Sequence, residues 1–217
     1  MPADMLHGRP ILFVISGPSG SGKGTGLAIV AEEFPEVKRA TTYTTRQPRP
    51  GEVDGIDYTF ISEADFQEKV ASGVIAELTR PYRDYAYGSP ADLVTTDDPR
   101  DVVVELDFRG MLRMRALSNR RVVSIFVIPP TAGALVDRIA QRHQEDNLDA
   151  RLVSNAEQLE TAWAYDYVVE NRVVEDFRAA VVTVVAAERL RRVGVSLLAR
   201  LDGNLVQDPE PGVPSEA

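Results

Sequence analysis

Lys23 stands in a run of small residues, Gly17-Pro18-Ser19-Gly20-Ser21-Gly22-Lys23-Gly24-Thr25, whose natural chemistry is the capture of phosphate. Gly17, Gly20 and Gly22 allow φ angles and a close backbone approach that a Cβ would block. In such a turn consecutive N–H groups point inward, and a helix starting at Lys23 turns its positive end to the same spot. Lys23 adds a mobile charge for the β and γ phosphates. The apolar run Ile11–Ile15 ahead of the turn and a helical pattern from Lys23 to Phe34 behind it supply the strand–loop–helix setting that this chemistry needs. The run reads as a nucleoside triphosphate site. Gly24 occupies the place where many such loops carry a metal-binding Ser or Thr, and Thr25 follows one step later. That arrangement suits small phosphotransferases that hold magnesium mainly through water and phosphates.

A second set of phosphate-binding types lies between Thr44 and Phe60, in TTRQPRPGEVDGIDYTF. Arg46 and Arg49 are three apart in a segment stiffened by Pro48 and Pro50. Rigid guanidinium forks there suit bidentate capture of a phosphate monoester, with Tyr58 as a third donor. Glu105 and Asp107 end an apolar strand, on the side where open α/β sheets bind ligands. In a phosphate-loop core, such acids serve magnesium-bound water or substrate. Arg138 and Arg142 are four apart on one predicted helix face, and Arg151 lies beyond a polar stretch.

These groups need a frame. Apolar, β-branched runs at Ile11–Ile15, Val102–Leu106, Val122–Ile128 and Tyr165–Val169 read as strands buried on both faces. Helical patterns follow at Lys23–Phe34, Phe108–Leu117, Thr131–His143 and Phe177–Leu190. The alternation predicts a parallel sheet wrapped by helices. The segment 39–95 breaks that rhythm with short extended pieces and one helix, capped by Ser62 with Asp65 three residues on, and ended by Gly73. An insertion there is where a second substrate would be held. Residues 142–149 form a polar stretch long enough for a flap. Residues 1–9 read as a disordered leader and 202–217 as a disordered acidic tail. Trp163 and the Val/Leu stripe of the last helix are expected in the core. His7, in the leader, and His143, in the flap, carry no expected catalytic role.

Composition narrows the function. The chain has 217 residues, 44% hydrophobic and 26% charged, which fits one α/β domain with inserted lobes. With no Cys, disulfides and cysteine nucleophiles are excluded, and a cytoplasmic setting is expected. The net charge of −9 argues against general binding to nucleic acid or anionic membrane. No apolar run approaches the length of a membrane span.

The phosphate loop, the pattern T-T-R-x-P-R-x-G-E-x-x-G-x-D-Y-x-F from Thr44, the later Tyr87-Gly88-Ser89 and the strand end Glu105-Leu106-Asp107 together resemble the guanylate kinase family. The similarity runs in order from about Pro10 to Arg192. The resemblance implies transfer of the γ-phosphate of ATP to GMP, with Mg2+ accompanying ATP. It implies a P-loop NTPase-type parallel sheet flanked by helices (core 10–38 and 96–201), an inserted mixed α/β GMP-binding lobe (about 39–95) and a helical lid (about 138–155). It assigns Arg46, Arg49, Tyr58 and Tyr87 to the GMP phosphate, and Thr42, Glu77, Ser89 and Asp107 to guanine. Guanine offers two adjacent donors, which a carboxylate accepts as a pair, and its O6 and N7 acceptors need hydroxyl or amide donors. Arg138, Arg142 and Arg151 would neutralise the transferred phosphoryl group, alongside Lys23 and Arg46. Asn171 would lie near adenine, and Glu105 would meet magnesium through water. A homo-oligomer is compatible with all of this.

The chain departs from the family pattern in places. Its lid reads Arg142-His143-Gln144-Glu145 instead of R-G-[ST]-[DE]. Arg109 stands where Gln is common, Arg172 where an acid is common, and the stretch 79–84 is longer than usual. Two rival functions follow: a non-catalytic module that binds phosphopeptides through the old GMP site, and a kinase for another small phosphorylated acceptor. Lys23 and the full arginine set argue against the first, and Glu77 with Ser89 against the second.

Overall fold

The structure, a computed structural model, describes residues 9–82, 85–95, 97–131, 133 and 155–205. Its elements are β1 (Ile11–Ser16), α1 (Lys23–Glu33), β2 (Lys38–Arg39), β3 (Tyr43–Thr44), β4 (Thr59–Phe60), α2 (Glu63–Ala71), β5 (Ile75–Tyr82) and β6 (Tyr85–Pro90), followed by β7 (Val102–Glu105), α3 (Phe108–Leu117), β8 (Arg121–Ile128), β9 (Tyr167–Glu170) and α4 (Val174–Leu205). Five strands form a parallel sheet in the order β2-β7-β1-β8-β9. Every residue of β1 is buried, as a central strand covered on both faces requires. Ile11, Phe13 and Ile15 pack with Leu27, Val30, Phe177 and Val181 on one side. Leu12 and Val14 point the other way, to Met111, Met114 and Phe126. The period of two in β1 therefore serves two cores at once.

The insertion builds its own sheet, ordered β4-β3-β6-β5, with α2 across one face. Ser62 caps α2 by accepting the Asp65 N–H at 3.1 Å, and Gly73 turns the chain away at φ +76°. Gly88 is needed because a Cβ there would collide with Ile75 and Phe66, the apolar centre of this lobe. The hairpin of β5 and β6 is its longest piece. It was not legible as strands, because polar residues and prolines interrupt any apolar run.

Several boundaries differ from expectation. The last strand begins at Tyr167 instead of Tyr165, because the Asp166 carboxylate accepts from Ser124 N and Ser124 Oγ and ties the chain to the edge of β8. Helix α4 runs from Val174 to Leu205, past the expected end at Leu190, with no proline to stop it before Pro209. The expected helix 131–143 falls mostly outside the described residues, as do His7 and His143. Trp163 corrects an expectation outright: it is 84% exposed in a short 3-10 turn. The core place goes instead to Tyr165, whose ring lies 4.8 Å from Phe126. The stripe of α4 is buried at Phe177, Val181, Val184 and Val185, while Leu190 is exposed. Among the described residues no helix is long and apolar enough to cross a membrane.

At the end of the sheet opposite the phosphate loop, where β1 and β7 begin, buried Asp101 accepts from Ile11 N at 2.8 Å, from Arg192 at 2.5 Å and from Arg189 Nε at 3.0 Å. One carboxylate thus joins the start of β1, the approach to β7 and the face of α4. Asp101→Ala is expected to cost about 3 kcal/mol of unfolding free energy in a urea titration. That is the low end for a broken buried pair, since both arginines still reach water. A loss below about 1 kcal/mol would show that the cluster does not hold these elements together.

Candidate active site

The loop after β1 has the backbone that its glycines allow: Gly17, Gly20 and Gly22 sit at φ +144°, +85° and +107°. Lys23 opens α1 and folds its ammonium over the loop, donating to Gly17 O at 2.9 Å and Pro18 O at 3.1 Å. It also lies 3.5 Å from Glu105, the last residue of β7. Strands β1 and β7 are parallel neighbours with Ile15 beside Glu105, so both side chains arrive at the same end of the sheet. Two asparagines support the loop from outside. Asn171, buried just after β9, donates to Ser21 O at 2.8 Å. A Cβ on Gly22 would fall into its amide. Asn155 accepts from Ser19 N at 2.9 Å.

The inserted lobe brings its phosphate-binding types into one cluster. Arg46 is 7% exposed and forms a fork with Glu52, both nitrogen–oxygen distances being 2.9 Å. It lies over the Tyr58 ring at 5.4 Å and the Phe60 ring at 5.6 Å. Tyr58 meets Tyr87 edge-on at 5.9 Å. Burial pulls the Arg46 guanidinium down, but Glu52 and Tyr87 more than offset it and raise its pKa. Burial opposes ionisation of Glu52 as well, yet Arg46 and the Arg49 N–H hold its pKa below the ordinary value. The Tyr58 hydroxyl is pushed well above its usual pKa, first by the charge of Glu105 and then by burial. Glu105 thus pairs with Lys23 and lies near enough to Tyr58 for its charge to oppose ionisation of the phenol.

Beside this cluster, Glu77 and Ser89 are paired residues of β5 and β6, and the Ser89 hydroxyl donates to Glu77 Oε2 at 2.8 Å. Glu77 is 3% exposed, and its other oxygen, Oε1, is buried with no hydrogen-bond partner among the described residues. Burial raises its pKa, Asp107 adds to the rise, and the Ser89 hydroxyl opposes it. Asp107 caps α3 by accepting from Gly110 N at 2.7 Å, and its second oxygen accepts from Thr79 at 3.1 Å. Thr42 is buried immediately before β3, where its carbonyl accepts from Thr59 N at 2.9 Å. A carboxylate oxygen buried without a donor is an invitation to a ligand that carries one.

Of the residues read from sequence, Lys23 meets Glu105, Arg46 clusters with Tyr58 and Tyr87, and Glu77, Ser89 and Asp107 form a further group. Arg49 contributes its backbone N–H to Glu52. Asn171 supports the phosphate loop directly, a role beyond the expected one. Arg138, Arg142 and Arg151 lie outside the described residues. Sequence reading gave Glu52, Thr79 and Asn155 no role. Glu52 had a signal, since it is a fixed position of the T-T-R-x-P-R-x-G-E pattern. Asn155 had none.

A parallel sheet whose first strand empties into such a loop, with an inserted lobe of clustered arginine and tyrosine set against the same end, has the plan of a P-loop phosphotransferase. Comparison with known proteins narrows this: residues 8–188 match the family model described as guanylate kinase. The chain belongs to the guanylate kinase family. It is 36% identical to a guanylate kinase of Bradyrhizobium diazoefficiens over 193 residues, covering 87% of this chain and 88% of that protein. It is 37% identical to one of Bacillus subtilis over 189 residues, covering 85% and 92%. The solved guanylate kinase of Anaplasma phagocytophilum superposes with a TM-score of 0.65 at 25% identity, covering 85% of this chain and 88% of that one.

Proposed function

We propose that this protein transfers the γ-phosphate of ATP to GMP, giving ADP and GDP. The observation that carries this reading is Glu105, which pairs with Lys23 of the phosphate loop at 3.5 Å and whose charge is felt by Tyr58 of the arginine cluster. A donor phosphate on the loop and an acceptor phosphate on Arg46, Arg49, Tyr58 and Tyr87 would meet there. Direct attack needs nothing further: a GMP phosphate oxygen forms a bond to the γ-phosphorus while the bond to the β–γ bridging oxygen breaks. The preformed Arg46–Glu52 fork means that the guanidinium is oriented before substrate arrives, which lowers the entropic cost of holding it. Glu77 Oε1 supports guanine as the base, since N1–H and the 2-amino group would supply the donors that it lacks.

Magnesium fits this donor set. Glu105 is a partly exposed carboxylate beside the loop, and among the described residues no cluster of three or more His, Cys, Asp or Glu competes for a metal. Mg2+ commonly keeps waters and phosphates as ligands and needs only one or two carboxylates. Glu105 would hold it through water. When bound, the ion would spread the negative charge of the β and γ phosphates. Lys23 and Arg46 would carry the remaining charge from the two sides.

The test is a coupled assay with Mg-ATP across GMP, dGMP, AMP, CMP and UMP. GMP is expected to exceed AMP by at least about 10²-fold in kcat/KM, because AMP leaves Glu77 facing an acceptor. Incubation with γ-labelled ATP alone is expected to leave no label on the protein. A stable phosphoenzyme would refute direct transfer, and equal turnover of AMP and GMP would refute the assignment of Glu77.

A further inference from the structure

Asn155 lies where the described chain resumes, far in sequence from the phosphate loop, yet only 2% of it is exposed. Its Oδ1 accepts the Ser19 N–H at 2.9 Å across 136 residues. The backbone amide can only donate, so the oxygen of the carboxamide must face it and the NH2 must lie on the other side. That NH2 is buried and has no hydrogen-bond partner among the described residues. Asn171 makes the contrast plain: its NH2 is satisfied by Ser21 O. A buried polar atom of the loop itself, Ser21 Oγ, is also without a hydrogen-bond partner among the described residues. Bracing Ser19 uses only the oxygen of the carboxamide and leaves the buried NH2 as a desolvated donor. An unpaired donor one carboxamide width from a phosphate-binding loop calls for an anionic acceptor.

We propose that Asn155 is a nucleotide-binding residue on the donor side. Its oxygen fixes Ser19, and its NH2 donates to a phosphate oxygen of ATP. This rests on the ATP reading given above. The two hydrogen bonds tie Asn155 to the loop on one side and to the triphosphate on the other, so the nucleotide completes a contact that the protein leaves half made.

The experiment is calorimetric titration of the full chain with a non-hydrolysable ATP analogue and magnesium, and separately with GMP. Asn155→Asp keeps an acceptor for Ser19 but replaces the donor with negative charge, and Asn155→Ala removes both. Asn155→Asp is expected to weaken analogue binding by about 30-fold or more, and Asn155→Ala by about tenfold. Both are expected to leave the Kd for GMP within about twofold. Unchanged analogue binding in either folded variant overturns the proposal. So does an Asn155→Ala variant that melts at lower temperature but binds the analogue normally, since Asn155 would then only brace the loop. Should Asn155→Asp not fold, Asn155→Ala decides alone. A wild type that binds no analogue overturns the functional reading as well, whereas normal wild-type binding with unaffected variants overturns this inference only.

Discussion

Lys23→Ala is expected to lower kcat by roughly 10²–10³-fold while changing the affinity for GMP by less than about threefold. The ammonium is the cation that the loop itself supplies, held by Gly17 O and Pro18 O and facing Glu105. In the proposed reaction, charge develops on the oxygens of the transferred phosphoryl group and on the leaving bridge. A preorganised cation there lowers the barrier without needing to bind the acceptor more tightly. Arg46 is held by Glu52 and not by Lys23 or the loop, so the acceptor cluster keeps its own anchor. Removal of Lys23 also frees Glu105 from its nearest positive partner, which adds repulsion toward ATP. Steady-state kinetics with GMP and ATP varied separately would check this. A rise in the KM for GMP with kcat preserved would place Lys23 on the wrong substrate.

Glu77→Gln is expected to reduce kcat/KM for GMP by about 2–4 kcal/mol of transition-state binding. Glutamine has the same shape, but its amide puts a donor where guanine also offers donors. Only one acceptor then remains, and Ser89 already uses part of it. The same carboxylate predicts a pH effect. Its pKa is raised by burial, and the form that accepts guanine is the ionised one. GMP binding is therefore expected to weaken as pH falls through that raised pKa, and the effect should disappear in Glu77→Gln. The sign for stability is opposite. Between the ordinary and the raised pKa the native state binds more protons than the unfolded chain, so this group's contribution to stability falls as pH rises. An acid limb for GMP binding that survives in Glu77→Gln would assign the titration to another group.

Much of this protein is written locally. The strand–loop–helix from Ile11 to Phe34, the apolar runs of β7 and β8, and the Ser62-to-Gly73 helix all follow from near neighbours. Burial period, capping and glycine placement act within a few residues, so they can be read from a single sequence. The motif residues Lys23, Arg46, Tyr58, Glu77, Ser89 and Glu105 carry the family signal in the same way. Trp163 misleads because hydrophobicity favours burial on average but does not decide which of two nearby aromatics takes the one core place. Tyr165 took it, against Phe126.

The phosphate loop, the central parallel strands and the family are legible in the residues alone, because each is encoded in short periodic or glycine-bearing stretches. Only the packed chain sets how the phosphate loop and the inserted lobe come together. The irregularity of β5 between Ile75 and Glu77 sends one side chain into the lobe's core and the next into the site, although they are only two residues apart. Glu105 reaches Lys23 and acts on Tyr58 only because β7 lies beside β1 while the lobe folds over that end of the sheet. Asn155 touches Ser19 across 136 residues, and no local rule connects them. Contacts of that kind depend on where the packed sheet and lobe place remote backbone groups, and a linear pattern carries no information about that placement.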